Sequence, residues 1–175
     1  FQHSGPIEFK DCAINGKLTL YGPTVFTNCT INTTTASGAD YIWTYGCEVT
    51  FDGCTFNTLG KAILCYNEMN GAGYNNITVK NCTFNATAGA KAGAIANQNC
   101  AAIEIDNYGC GVNLTLSNNT VQTGANAFSG EWRIKSYYPD SPNDKIFVNG
   151  VEYTSIALDG KTMTIDGSKN VTVND

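Results

Sequence analysis

Two carboxylates, Glu104 and Asp106, and two cations, Arg133 and Lys135, are the residues of this 175-residue chain whose spacing could support acid–base chemistry. Residues two apart on a strand share a face and lie about 7 Å apart. That falls within the roughly 5–10 Å that separates the carboxylate pairs of glycosidases. Such chemistry needs one carboxyl with a raised pKa, whereas adjacent cations keep both ionised. A second set is aromatic. Tyr21, Tyr45 and Tyr66, with Trp43 beside them, have flat apolar faces and polar tips, the shape that stacks on sugar rings. Other chemistry is excluded early. His3 is the only histidine and no CxxC pair exists among the eight cysteines, which removes most triads, zinc knuckles and thioredoxin-like motifs. No cofactor is implied.

These residues are placed by a repeat. One nine-residue phrase occurs five times, as IEFKDCAIN (7–15), TVFTNCTIN (24–32), VTFDGCTFN (49–57), ITVKNCTFN (77–85) and LTLSNNTVQ (114–122). The starts are 17, 25, 28 and 37 residues apart, so a fixed unit carries loops of varying length. Apolar and polar residues alternate in its first part, as in a half-buried strand. The fifth position then holds Asp11, Asn28, Gly53, Asn81 and Asn118, types that tolerate a left-handed backbone. The strand is expected to bend there and restart.

A second strand follows each phrase: 18–22, 42–46, 63–67, 103–107 and 132–136. Aligned, their first outward column reads Thr19, Trp43, Leu64, Glu104, Arg133, and the next reads Tyr21, Tyr45, Tyr66, Asp106, Lys135. Three tyrosines therefore stack on one face, followed by two acids opposite two bases. The same columns also read as ladder-stabilising aromatics, lying under the 32–41 and 86–101 loops, and as cross-strand ion pairs that contribute little.

Cys12, Cys29, Cys54 and Cys82 share one inward position, with Asn119 replacing cysteine in the fifth copy. Stacked parallel strands orient sulfurs poorly for bridging, so a buried column of thiols is expected. Cys65 also points inward. Cys47, Cys100 and Cys110 fall at strand edges or in loops, where one bridge among them stays open. Nothing places four soft ligands around a point, so no metal is expected. The Asn-x-Thr triplets, such as Asn81-Cys82-Thr83, follow from the repeat and read as bend-and-strand residues rather than glycan acceptors.

The phrase with Asn or Gly at a bend between short strands resembles the right-handed parallel β-helix of the pectin lyase-like superfamily. That superfamily includes pectate lyases, polygalacturonases, phage tailspikes and bacterial surface adhesins. The resemblance covers residues 7–137 and implies an all-β fold of about five coils over 1–145. The tail differs: strand signals around Asn149-Gly150, a favoured two-residue turn, make 146–175 a small β cap, hairpin or final coil closing one end. In these enzymes the sugar cleft runs along the outer face of the strand that here carries the aromatics. Of the polygalacturonase motifs only Arg133-Ile134-Lys135 is matched. A lyase of this fold would need clustered acids for calcium, and pairing Glu104 and Asp106 with cations leaves little charge to hold it.

Composition bounds the partners. Charged residues make up 14% of the chain, with a single arginine and a net charge of −5, so nucleic acid is not an expected partner. No apolar run is long enough to span a membrane. There are 21 asparagines and 21 threonines, which suits a strand-rich surface. The chain begins at Phe1 without Met and is expected to be covalently part of a longer chain, extracellular or at the cell surface. The leading expectation is a non-catalytic, adhesin-like module binding carbohydrate or a host-surface glycan through Tyr21, Trp43, Tyr45 and Tyr66, with Glu104 and Asp106 at the margin. The alternatives are a polysaccharide-cleaving lyase or hydrolase fragment using Glu104, Asp106, Arg133 and Lys135, and a purely structural stalk or spike segment.

Overall fold

The computed structural model describes residues 2–3, 5–33, 42–58, 62–67, 75–86, 103–107, 111–121, 131–136, 145–153, 162–165, 168 and 171–174. Among these residues the chain is all-β, without a helix, and its strands fall into three sheets. The first part of each nine-residue phrase builds one sheet from β2 (Ile7–Lys10), β5 (Thr24–Thr27), β8 (Glu48–Asp52), β11 (Asn75–Lys80) and β14 (Val112–Ser117). β17 (Lys145–Val148) adds to it in parallel, and β18 (Val151–Tyr153) ends it antiparallel. The second part of each phrase builds another from β3 (Ala13–Asn15), β6 (Thr30–Thr33), β9 (Thr55–Thr58), β12 (Thr83–Ala86) and β15 (Thr120–Val121). The third sheet holds β1 (Gln2–His3), β4 (Leu18–Leu20), β7 (Ile42–Tyr45), β10 (Ile63–Asn67), β13 (Ile103–Asn107) and β16 (Glu131–Ser136), followed by β19 (Thr162–Ile165) and β20 (Val171–Asn174).

Pairing follows the repeat. Each strand from β1 to β14 lies parallel to the strand three places on, so equivalent residues of successive copies are register partners. Val49 sits opposite Ile77, and Phe56 opposite Phe84. The bends fall where the residue types put them. Asp11, Asn28, Gly53, Asn81 and Asn118 have φ of 53°, 52°, 66°, 56° and 54°. Asn28 N–H donates to the Asp52 carbonyl (2.9 Å), and Thr55 N–H beyond the next bend donates back to the Cys29 carbonyl (2.9 Å). The ladder thus runs through the corner, as buried backbone groups require.

Side chains that alternate inward form a continuous apolar core. Phe9, Phe26 and Phe51 stack at 5.0 and 4.8 Å, Phe56 lies on Phe84 at 4.6 Å, and Phe51 meets Phe56 edge-on at 5.2 Å. Burying each such ring is worth about 1.5–3 kcal/mol. The two ends of the stack differ. Asn149 (φ 48°) and Gly150 (φ 83°) make the expected two-residue hairpin turn, which folds β18 back onto β17, while β19 runs antiparallel beside β16 and β20 antiparallel beside β19. At the other end β2 and β3 are edge strands. There Ile7, Phe9 and Ile14 are half-buried while Phe26 and Ile31 one rung on are fully covered.

Candidate functional site

The outer face of the third sheet gathers the aromatics as the alternation requires. Leu18, Leu20, Ile42, Thr44, Ile63 and Cys65 are buried on the inner side. Trp43, Tyr45 and Tyr66 are therefore turned outward and half-buried, and Tyr21 is 41% exposed. The register sets Trp43 against Leu64 and Tyr45 against Tyr66. A buried polar link fixes the backbone of this face. Asn75 Nδ2 donates to the Tyr66 carbonyl (3.0 Å), and Thr44 Oγ1 donates to Asn75 Oδ1 (3.1 Å). Sequence reasoning missed Asn75, because it precedes the nine-residue phrase and only the fold brings it beneath β10.

The rings lie on one another rather than side by side. Tyr21 stacks on Tyr45 with centroids 4.7 Å apart and planes at 25°, and Trp43 lies nearly parallel to Tyr45 at 5.3 Å and 18°. Tyr66 meets both edge-on, at 5.1 Å to Trp43 and 4.9 Å to Tyr45. The Lys17 ammonium sits 4.0 Å from the Trp43 ring centroid, a cation–π contact. The expected open run of three tyrosine faces is thus narrowed. Rings in one parallel column stack along the axis of the stack, so they turn edges and hydroxyls to the solvent. Tyr21, the most exposed of the set and the last ring of the column, keeps the largest open surface. Leu64, expected outward, is only 5% exposed, so the face is covered at that rung. Much of the 32–41 and 86–101 loops lies outside the described residues.

The acid–base set is joined in a different register from the one read in the sequence. Ile103 pairs with Ile134 and Glu104 with Lys135, rather than Glu104 with Arg133 and Asp106 with Lys135. A shift of two residues keeps every side chain on its own face, so alternation alone could not distinguish the two. The side chains of 104–107 and 131–136 lie outside the described residues. Among the described residues no three of His, Cys, Asp or Glu come together as a metal site.

Two ladders accompany the sheets. On the outer face of the second sheet, Asn32 Nδ2 donates to Asn15 Oδ1 (2.7 Å), Asn57 to Asn32 (2.8 Å) and Asn85 to Asn57 (3.0 Å). Its signal in the sequence is the asparagine at the ninth position of four copies. Inside, Cys29, Cys54 and Cys82 are buried free thiols, whereas Cys12, expected to be buried with them, is exposed. The reason is that β2 and β3 are edge strands, and among the described residues no further strand stacks over Cys12. Each thiol donates to main-chain carbonyls, Cys54 to those of Phe26 (3.5 Å) and Asp52 (3.6 Å), Cys82 to that of Lys80 (3.2 Å). The neighbouring Cys82 side chain holds Cys54 below the ordinary thiol value against the opposing effect of burial, and the same neighbour relation together with burial pushes Cys82 up. Cys47 is also a free thiol, raised to about 11 by burial, and is in no bridge. Cys100 and Cys110 lie outside the described residues.

Comparison with protein-family models, with curated proteins and with solved structures finds no match to this chain.

Proposed function

We propose that the chain winds as a right-handed parallel β-helix of the pectin lyase-like kind and serves as a non-catalytic module of a larger extracellular or cell-surface protein, holding carbohydrate at its aromatic face. The winding is supported by the parallel pairing of each strand with the one three places on and by the left-handed corner in every copy. One observation carries the binding reading: Tyr21 is 41% exposed with its ring seated on Tyr45. A sugar ring stacks on an exposed aromatic face that neighbouring rings hold rigid. Trp43, Tyr45 and Tyr66 then act as the support, and their edges border the sugar. One stacking contact is worth about 1 kcal/mol, well short of the about 4 kcal/mol of a millimolar complex, so a single chain binds weakly and multivalent display raises the avidity.

A cleaving enzyme that uses Glu104, Asp106, Arg133 and Lys135 is the second reading, and the backbone register sets Glu104 opposite Lys135. The stalk reading draws support from the ring-on-ring stacking, which stabilises the sheet whether or not a ligand binds. A glycan array probed with a multimer of the chain separates these readings. Binding by the parent that is lost in Tyr21→Ala and kept in Tyr21→Phe, with unchanged circular dichroism, supports the carbohydrate module. No binding by the parent leaves the stalk. Product release from polysaccharides that Glu104→Gln abolishes restores the enzyme.

A further inference from the structure

The free edge of the first sheet lies apart from the aromatic face and does not depend on the carbohydrate reading. Among the described residues no strand pairs with β2 on the side away from β5. Main-chain hydrogen bonds alternate between the two sides of a strand. Ile7 N–H donates to the Pro23 carbonyl (3.0 Å) and Asp11 N–H to the Thr27 carbonyl (2.9 Å), both toward β5. The main-chain groups of Glu8 and Lys10 therefore point the other way, off the edge. An inner copy shows how such a group is used when a strand lies there. The Asp52 carbonyl, at the place equivalent to Lys10, accepts both the Asn28 N–H (2.9 Å) and the Cys54 thiol (3.6 Å). At the edge the Lys10 carbonyl takes the Cys12 thiol (3.1 Å) and has a second lone pair for an amide. The side chains of Glu8 and Lys10 are exposed. Between them the half-buried Phe9 lies on Phe26 at 5.0 Å with planes 9° apart.

We propose that β2 is the interface of a two-fold dimer, in which the β2 strands of two copies of this chain pair antiparallel about Phe9 and join their first sheets. The charges choose the register. Centred on Phe9, Glu8 of each copy lies opposite Lys10 of the other, which gives two opposite-charge pairs on the outer face. A register shifted by two residues in either direction sets Glu8 on Glu8 or Lys10 on Lys10. A shift of one residue puts inward side chains opposite outward ones. The same register suits the backbone. Glu8 and Lys10, whose main-chain groups leave the edge, become the pairs that exchange two hydrogen bonds, and the two Phe9 residues form the closer pair between them, with Cα atoms about 4.5 Å apart. The second Phe9 ring then continues the row of Phe9, Phe26 and Phe51 across the two-fold axis.

A second copy fits this edge because a two-fold contact must be complementary to itself. Charges of one sign along an edge repel a like edge, whereas the order acid, phenylalanine, base in β2 meets its own copy with opposite signs. Head-to-tail stacking on the strand at the far end of the sheet matches less well. Glu152 is the only charged residue of β18 (Val151–Tyr153), so at most one of the two β2 charges would find an opposite there.

The test is sedimentation equilibrium from micromolar to near-millimolar concentration, under reducing conditions so that the exposed Cys12 forms no bridge. The parent is expected to reach a dimer and nothing larger. Glu8→Lys and Lys10→Glu each set like charges opposite one another in both pairs and should weaken the dimer by about tenfold or more. Combining the two reversals in one chain should restore the dimer. Mixing the two single variants should restore it as a heterodimer. Both positions are exposed, so the circular dichroism of every variant should match the parent. The amides of Glu8 and Lys10 should exchange more slowly in the dimer, while those of Ile7 and Asp11, already bonded within one copy, should not change. A parent that stays monomeric overturns the proposal and leaves the edge to a partner of another kind. Assembly beyond the dimer, single reversals that dimerise as well as the parent, or losses that neither combination nor mixing repairs also overturn it. If a variant does not fold, the amide exchange of the parent decides it.

Discussion

Tyr21 and Tyr45 lie face to face one rung apart, with centroids at 4.7 Å. Tyr45 also touches Trp43 and Tyr66, so it is the hub of the cluster and Tyr21 its open end. Aromatic pairs contribute about 0.5–1.5 kcal/mol beyond their buried area. Tyr45→Ala, which loses three such contacts, should destabilise the fold by roughly 2–4 kcal/mol, whereas Tyr21→Ala, which loses one, should cost about 1 kcal/mol. Denaturant midpoints of the two variants check the order. Equal midpoints would show that Tyr45 is not the hub.

The bend at Gly53 sits against Asn28. A Cβ added to Gly53 would lie 2.6 Å from Asn28 Oδ1, and the backbone there has φ +66°. Gly53→Ala therefore combines a left-handed backbone cost of about 1–2 kcal/mol with a contact that the asparagine side chain must relieve. Combining it with Asn28→Gly should recover part of the loss, which a double-mutant cycle in chemical denaturation measures. Strict additivity of the two changes would refute the contact.

The asparagine ladder predicts a gradient. Asn57 accepts from Asn85 and donates to Asn32, while Asn15 at the exposed end only accepts. Net hydrogen bonds contribute about 0.5–1.5 kcal/mol each. Asn57→Ala should thus cost roughly 1–3 kcal/mol and Asn15→Ala at most about 1 kcal/mol. Thermal melts that rank Asn15→Ala as the worse variant would contradict the ladder.

Asp52 accepts from Asn81 Nδ2 (2.9 Å) and pairs with the Lys80 ammonium (3.0 Å). The Asn81 hydrogen bond first, and Lys80 second, hold its carboxyl below the usual carboxylate range. A depressed folded pKa gives stability that is present above the unfolded value, about 3.9, and lost as pH falls through the folded value. The side chains are 42% and 35% exposed, so solvent screening limits the contribution to under about 1 kcal/mol. Asp52→Asn should slightly lower stability at pH 7 and flatten its fall below pH 4, read from urea midpoints across pH. An unchanged acid profile would remove Asp52 from the account.

Thiol labelling distinguishes the cysteines. In the folded state Cys12 should react within minutes, and Cys29, Cys54 and Cys82 only on unfolding, as mass mapping of the labelled peptides would report. Cys54→Ser should cost only about 1 kcal/mol, because the Phe26 and Asp52 carbonyls that accept from the thiol can accept from a hydroxyl. A loss above about 3 kcal/mol would mean that packing, not the donor, governs the site.

The all-β class, the alternation of buried and outward residues, the five left-handed corners and the Asn149-Gly150 turn were legible in the residues themselves. Each depends on local energetics: a period of two sorts the faces, and only Asn, Asp and Gly take the left-handed corner at low cost. The thiol column at Cys29, Cys54 and Cys82 followed from the same alternation. The pairing of Glu104 with Lys135 did not, because a slip of two residues leaves alternation intact and only contacts between distant strands choose between the registers. The exposure of Cys12 depends on which strand lies at the edge, and the burial of Leu64 on what covers the outer face. The stacking of the tyrosines on one another was equally beyond one-dimensional reading. Sequence assigns those rings to one outer column, but which ring face stays open is decided by side chains packing across strands that are far apart in the chain.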